Sequence, residues 1–278
     1  MMSAVKRSMV VERLRKDQMV ELLSKEKRLD NRGLLDLRNI VIETGVIERA
    51  SGSAKVQVGN TQVIAGVKIE TGEPFPDTPD KGLLVVNAEV LPLASAYAEP
   101  GPPDEDAIEL ARVVDRGVRE SKMIDLSKLI LIPGRKVHAV FVDVNVLNVD
   151  GNLFDATSYA TVASIATAKM PKLFVDQNGQ IKRTEEIIPL PIKSIPVSVT
   201  LARIGDVLLV DPTSEEEAVM DARITLVFDE EDNVCAGQKG QPGTLNFDQV
   251  KLAANIAKVK AREVRKIILG GITKDAKG

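Results

Sequence analysis

The stretch EPGPPDEDAIELARVVDRGVR, from Glu99 to Arg119, turns a proline-rich connection into a helix and carries the most specific pattern in the chain. The prolines from Pro92 to Pro103 belong to a loop, and Asp104 has the side chain of a helix N-cap, so the spacing predicts a helix from Asp104 to about Met123. Ala107, Ala111, Val114 and Val118 fall on one face for burial. At about 100° per residue, Arg112, Arg116 and Arg119 lie within roughly 60° of one another on a different face. Such a fork of guanidiniums suits phosphate oxygens, which arginine binds bidentately whatever the attached base. Glu109, Asp115 and Glu120 stand close enough to pair with the same arginines, so an ion-paired solvent face is the competing reading.

Working outward, the chain alternates between strand and helix signals. Apolar positions at Val10, Leu14, Met19, Leu22 and Leu23 among charges predict an amphipathic helix over residues 10–27. Ile40 to Ile42, then Ala54, Val56 and Val58, then Val63, Ala65 and Val67 read as three antiparallel strands separated by Gly45, Gly52 and Gly59-Asn60. A fourth strand follows from Gly82 to Val90. Beyond the arginine helix come a strand from Lys136 to Val146 and, after the Asp150-Gly151 turn, a helix from about Phe154 to Lys169 whose small residues permit close packing on a sheet.

Residues 171–196 look like a seam broken by prolines, and the second half repeats the theme. Strands are expected near Ile195 to Arg203, Val207 to Val210, Asp221 to Phe228 and Val234 to Ala236, with a long helix from about Asn246 to Leu269. The class is therefore α+β, with helices packed on sheets. The expected divisions are a helical extension over 1–27, a first half over 28–190 and a second half over 191–278.

Composition excludes much chemistry. Of 278 residues 44% are hydrophobic, enough for a proper core, and no apolar run reaches the ~18 residues of a membrane span. The charged start resembles no secretory signal, so the cytoplasm is the expected compartment and no membrane partner is expected. Cys235 and His138 are each the only one of their kind, which rules out an internal disulfide, a thiolate cluster and a zinc site built on two imidazoles. His138 alternates along a strand and reads as a strand residue rather than a base. Lys plus Arg number 37 against 40 acidic residues, so nucleic acid would have to be held by a local patch. With 3% aromatic residues and no Trp, phosphate contacts would dominate over base stacking.

Three further motifs remain. Arg28, Asp30 and Arg32 form an ion-pair clasp in the simplest reading, with Asn31 able to adopt a left-handed backbone. The turn from Asp150 into the helix at Phe154 would point free N–H groups at an anion, yet it presents Leu153 and Phe154, with Asp155 beside them to repel one. The run Asp211-Pro-Thr-Ser-Glu-Glu-Glu-Ala-Val-Met-Asp221 reads either as a charged turn or as a cluster able to serve as acid or cation ligand.

Together these motifs resemble the RNase PH family, and the arginine helix resembles the non-catalytic RNase PH-type ring subunit of the archaeal exosome. Arg28-Leu-Asp-Asn-Arg32, Gly52-Ser-Ala54 and Gly59-Asn-Thr61 match the family's opening, with Asn31 where a glycine is usual. The resemblance, from Arg28 to about Leu269, implies a ribosomal protein S5 domain 2-like fold of two related halves with mixed sheets and packed helices. It implies a hexameric ring of three heterodimers with a catalytic RNase PH-type partner, capped by S1- or KH-domain proteins and acting on single-stranded RNA. The complex would use inorganic phosphate, with Mg2+ a candidate, for 3′-to-5′ phosphorolysis, while this chain has no cofactor of its own. By the same resemblance Arg112, Arg116 and Arg119 bind RNA. Leu153 and Phe154 replace a hydroxyl residue and an arginine that hold phosphate, and Glu216, Glu217 and Asp221 are remnants of the carboxylate site. The alternative is a self-sufficient phosphorolytic exoribonuclease.

Overall fold

The computed structural model describes residues 15–95, 101–176 and 180–275. Val10 and Leu14 of the expected first helix, and part of the loop from Pro92 to Pro103, lie outside them. The described part of that helix, α1, spans 15–24 and buries Met19 and Leu23.

The strands β1 (Ile40–Thr44), β2 (Gly52–Val58), β3 (Thr61–Gly72) and β4 (Leu83–Val90) lead into α2 (Glu105–Glu120). After it come β5 (Ile130–Ile132) and β6 (Lys136–Asn148), and together these strands make one sheet in the order β1-β2-β3-β6-β4, with β5 paired to β6. Only β4 and β6 run parallel, because the chain must cross over through α2 to place them side by side. Then follow α3 (Leu153–Ala166), β7 (Lys169–Val175), β8 (Ile181–Pro189), β9 (Val197–Ile204), β10 (Val207–Val210), α4 (Ser214–Glu217), β11 (Ala222–Phe228), β12 (Val234–Gly240) and α5 (Phe247–Asp275). The second sheet, β10-β9-β11-β12, is antiparallel throughout.

Alternation explains the first sheet: Val63, Ala65 and Val67 of β3 are buried while the residues between them are half-covered. β11 is buried at every residue, as a strand covered on both faces must be. The helix α3 is buried from Phe154 to Ile165 because it packs against β2 and β3 on one side and β9 on the other. Its alanines, serines and threonines allow that closeness. A side chain on Gly52 would collide with the backbone of Ser164 and Ala168. α5 covers β1, β9 and β11, and α2 lies on β4 and reaches β12.

The expectation that prolines interrupt regular structure over 171–196 fails. The proline-marked seam over 171–196 contains a β-hairpin, β7 with β8, in which Pro171 and Pro189 are tolerated because these strands pair only with each other and each leaves one edge free. No helix among the described residues is long and apolar enough to cross a membrane.

Candidate functional site

The helix α2 begins where the sequence places it: Asp104 accepts a hydrogen bond from the Ala107 N–H at 2.8 Å. Its buried stripe is Ala107, Leu110, Val113, Val114, Gly117 and Val118, which turns Arg112, Arg116 and Arg119 outward, all three exposed. With Phe75, Leu84 and Val86 they line a groove of about 380 Å³ between α2 and β4. The three do not behave alike. Arg119 donates to Asp115 at 2.8 and 3.0 Å and to the Leu84 carbonyl at 2.8 Å, so it ties α2 to β4. The hydrogen bond that Arg119 donates to the Asp115 carboxylate raises the Arg119 pKa above its usual value. Arg112 and Arg116 enter no ion pair among the described residues, and Glu109 turns away from them to meet Arg223 at 2.8 Å. The ion-paired reading of this face therefore holds for Arg119 alone.

The second feature is the start of α3. Gly151 takes φ +81, and any side chain there would strike the backbone of residues 212–214, so the turn packs directly onto the approach to α4. Asn152 follows at φ 53. Its N–H, the outward donor a bound anion would take, is already bonded at 2.9 Å to Oε1 of Glu217. Phe154 lies beneath the Arg223 guanidinium, 3.9 Å from the ring centroid, and Arg223 is itself paired with Glu109. The cavity here, about 220 Å³, is lined by Leu153, Phe154, Asp106, Glu109, Glu217 and the single cation Arg223, among others. Burial pushes the Glu217 carboxyl up to about 7, with Asp211 adding to the shift and the Asn152 N–H, Arg223 and Arg38 opposing it.

Asp155 does not take the role the sequence suggested. It points inward, fully buried, and accepts hydrogen bonds from the N–H and the hydroxyl of Thr200 and from Asn152, each at 2.9 Å. Burial raises its pKa. The carboxyl groups that line the cavity are those of Glu217, Asp106 and Glu109 instead.

Nor do Glu216, Glu217 and Asp221 converge. Glu216, at 1% exposure, is gripped by Arg28 at 2.8 and 2.5 Å, and it also completes a capping box with Thr213 at the start of α4. Asp221 is bonded to Lys16 of α1 and, at 2.8 Å, to the Gly205 N–H. Asp211, fully buried, accepts from Arg32 at 3.0 Å, from Arg38 at 2.7 and 2.9 Å and from Asn152 at 2.8 Å. The clasp expected of residues 28–32 forms only between Arg32 and Asp30, at 2.6 Å. Arg28 finds its carboxylate 188 residues away. Among the described residues no group of three or more His, Cys, Asp or Glu side chains is arranged to hold a metal ion. His138 is buried in β6, and burial lowers its pKa. Arg38, Arg223 and Phe75 escaped the sequence reading, since only the fold brings them to these places.

Residues 36–171 match the model of the 3′ exoribonuclease family (RNase PH), domain 1, and residues 194–260 match that of domain 2. The chain belongs to the RNase PH family. A relative in it, the exosome complex component Rrp42 of Pyrococcus horikoshii, is 49% identical over 95% of this chain and 97% of its own length. A solved structure described as the Archaeoglobus fulgidus exosome with RNA bound to the active site contains a chain that aligns with a TM-score of 0.85 at 44% identity. That alignment covers 92% of this chain and 98% of the other. A chain of an archaeal exosome core aligns with a TM-score of 0.81 at 40% identity, covering 93% and 98%. Within the RNase PH family, then, this member keeps the fold over the aligned 92% of the chain while the turn before α3 is closed by its own carboxylate.

Proposed function

We propose that this chain is a core subunit of an archaeal-type exosome that does not itself carry out phosphorolysis. It holds the phosphates of single-stranded RNA on α2 and completes the active site of a catalytic RNase PH-type partner in a ring of three heterodimers, capped by S1- or KH-domain proteins in the cytoplasm. The relatives' names and the exosome chains that share the fold support membership of the complex.

The observation that carries the non-catalytic reading is the state of Glu217. Its side chain sits on the N–H that an attacking phosphate would use, in surroundings so hostile to negative charge that even one carboxyl is held near neutrality, its pKa about 7. A phosphate dianion in the same cavity would meet a larger penalty, with one already engaged guanidinium to offset it. Of the carboxylates that would hold Mg2+ or protonate a leaving oxygen, Asp211, Glu216 and Asp221 are each bonded to a cationic side chain and Glu217 is taken up by the Asn152 N–H, so these residues do not fit a divalent ion. Phosphate and Mg2+ are assigned to the partner's site. This chain's share is placement: Arg112 and Arg116 offer unpaired guanidiniums to successive phosphates, and Arg119 holds the groove in shape and keeps one edge toward it.

The test is phosphorolysis assayed with RNA and inorganic phosphate for this chain alone, a catalytic partner alone and the two together. Nucleoside diphosphates are expected only where the partner is present, with more from the pair. Release by this chain alone would establish the self-sufficient enzyme instead.

A further inference from the structure

Phe75 lines the arginine groove on one side and, on the other, a second cavity of about 820 Å³ edged by Arg135 and Lys136. The ring stands 51% exposed in the connection between β3 and β4. That connection is tied down at several points. Pro74 and Pro76 flank the phenylalanine and restrict its backbone on both sides. The Thr78 N–H bonds the Phe75 carbonyl at 3.1 Å, the Gly134 N–H bonds the Pro79 carbonyl at 3.3 Å, and the Gly82 N–H bonds the Leu126 carbonyl at 2.8 Å. Lys136 meets Glu73 at 3.4 Å. A large apolar ring is thus held in water at a fixed place between two basic basins, where it contributes little to the core.

Single-stranded nucleic acid requires aromatic faces for its bases alternating with cations for its phosphates. The two cavities joined by Phe75 contain five cationic side chains against the acidic Asp115, Glu120 and Glu73. Of those acids Asp115 and Glu73 are already paired. The Arg135 guanidinium has no partner among the described residues and is free for a phosphate. Phe174 and Phe247 are also exposed, but neither lines these cavities. We infer that Phe75 is a base-stacking platform and Arg135 a phosphate contact on a continuation of the RNA track, running from the α2 arginines across the β3–β4 connection. The inference rests on the reading of Arg112 and Arg116 as RNA contacts. A rigid ring loses little conformational freedom on binding, which makes one aromatic enough where composition supplies few.

The test uses the full-length chain and fluorescence anisotropy with oligoadenylates of increasing length, with and without abasic spacers at the nucleotides beyond the arginine groove. Phe75→Leu, which keeps an apolar side chain but no π face, is expected to weaken long oligoadenylates by roughly five- to a hundredfold, the range for one stacked base. It should leave the shortest oligoadenylates and the abasic RNA unchanged. Arg135→Gln should likewise weaken only the long ones, while Arg116→Ala weakens all lengths. If Arg116→Ala weakens binding but Phe75→Leu and Arg135→Gln bind every length as the parent does, the track ends at α2 and the inference is wrong. Parent-like binding by Arg116→Ala would overturn the arginine reading and this inference with it. Should Phe75→Leu leave RNA affinity intact yet impair assembly with neighbouring ring subunits, the ring is a protein contact and the inference falls.

Discussion

Glu217 makes the closed anion site measurable, because its folded pKa of about 7 lies above the 4.5 of an exposed glutamate. Between those values the folded chain binds a proton that the unfolded chain has lost, so stability falls as pH rises through that window and levels off above it. Glu217→Gln keeps an oxygen to accept the Asn152 N–H and removes the titration. The variant is therefore expected to match the parent near pH 4.5 and to exceed it above pH 7, by on the order of 3 kcal/mol. Urea unfolding at several pH values reads this directly, and parallel pH profiles for the two chains would mean that Glu217 is not buried against its charge as described. The same substitution leaves Phe154, Asp106 and Glu109 in place, so it should restore no phosphorolysis.

In α2 the division of labour among the arginines separates binding from folding. Arg112→Ala with Arg116→Ala removes two unpaired guanidiniums and should flatten the salt dependence of RNA affinity by about 1.4, at roughly 0.7 per phosphate contact, with unfolding midpoints unchanged. Arg119→Ala breaks the tie to the Leu84 carbonyl and should lower stability by about 1 kcal/mol with a smaller effect on the salt slope. Equal effects of all three on unfolding would return the face to a purely structural role. That α2 exists, and which way it faces, could be read from Asp104 and the apolar spacing, since a cap and a 3.6-residue period are local facts. Inequality among its arginines could not, because it depends on Leu84 and on Arg223 drawing Glu109 away. The hairpin β7–β8 stayed hidden for a related reason. Its residues are mostly exposed, so no buried alternation marks it, and its prolines mimic a break. Phe75 was one of six phenylalanines until the fold set it between two basic cavities.

Across the whole molecule, the carboxylates that read as a vestigial site serve to join the opening segment, the end of β6 and the α4 approach. Arg38 donates to the carbonyls of Asp150 and Gly151 and to Asp211, while Arg28 and Arg32 reach the same region from the opening motif. Burial alone would raise the Asp211 carboxyl, but the hydrogen bonds and charge of Arg38 outweigh it and hold the pKa below the usual range. This contribution is complete above the unfolded value of 3.8 and is lost as pH falls through the lowered one, so the junction should fail in acid. The Arg28–Glu216 pair, at 0% and 1% side-chain exposure, tests whether the junction couples its parts. Glu216→Leu leaves a buried guanidinium with only the Asp36, Val210 and Asp211 carbonyls for partners and should cost about 3–5 kcal/mol. Arg28→Met strands the carboxylate instead and should cost a similar amount. The double variant removes both charges, leaving the Val210 carbonyl without the Arg28 donor while Asp211 keeps its bond from Arg32 at 3.1 Å. Its loss should therefore fall several kcal/mol short of the sum of the single losses, with one unfolding transition throughout. Additive losses in urea unfolding would show that the two charges do not act as a pair, and a second transition would show that the parts they join unfold separately.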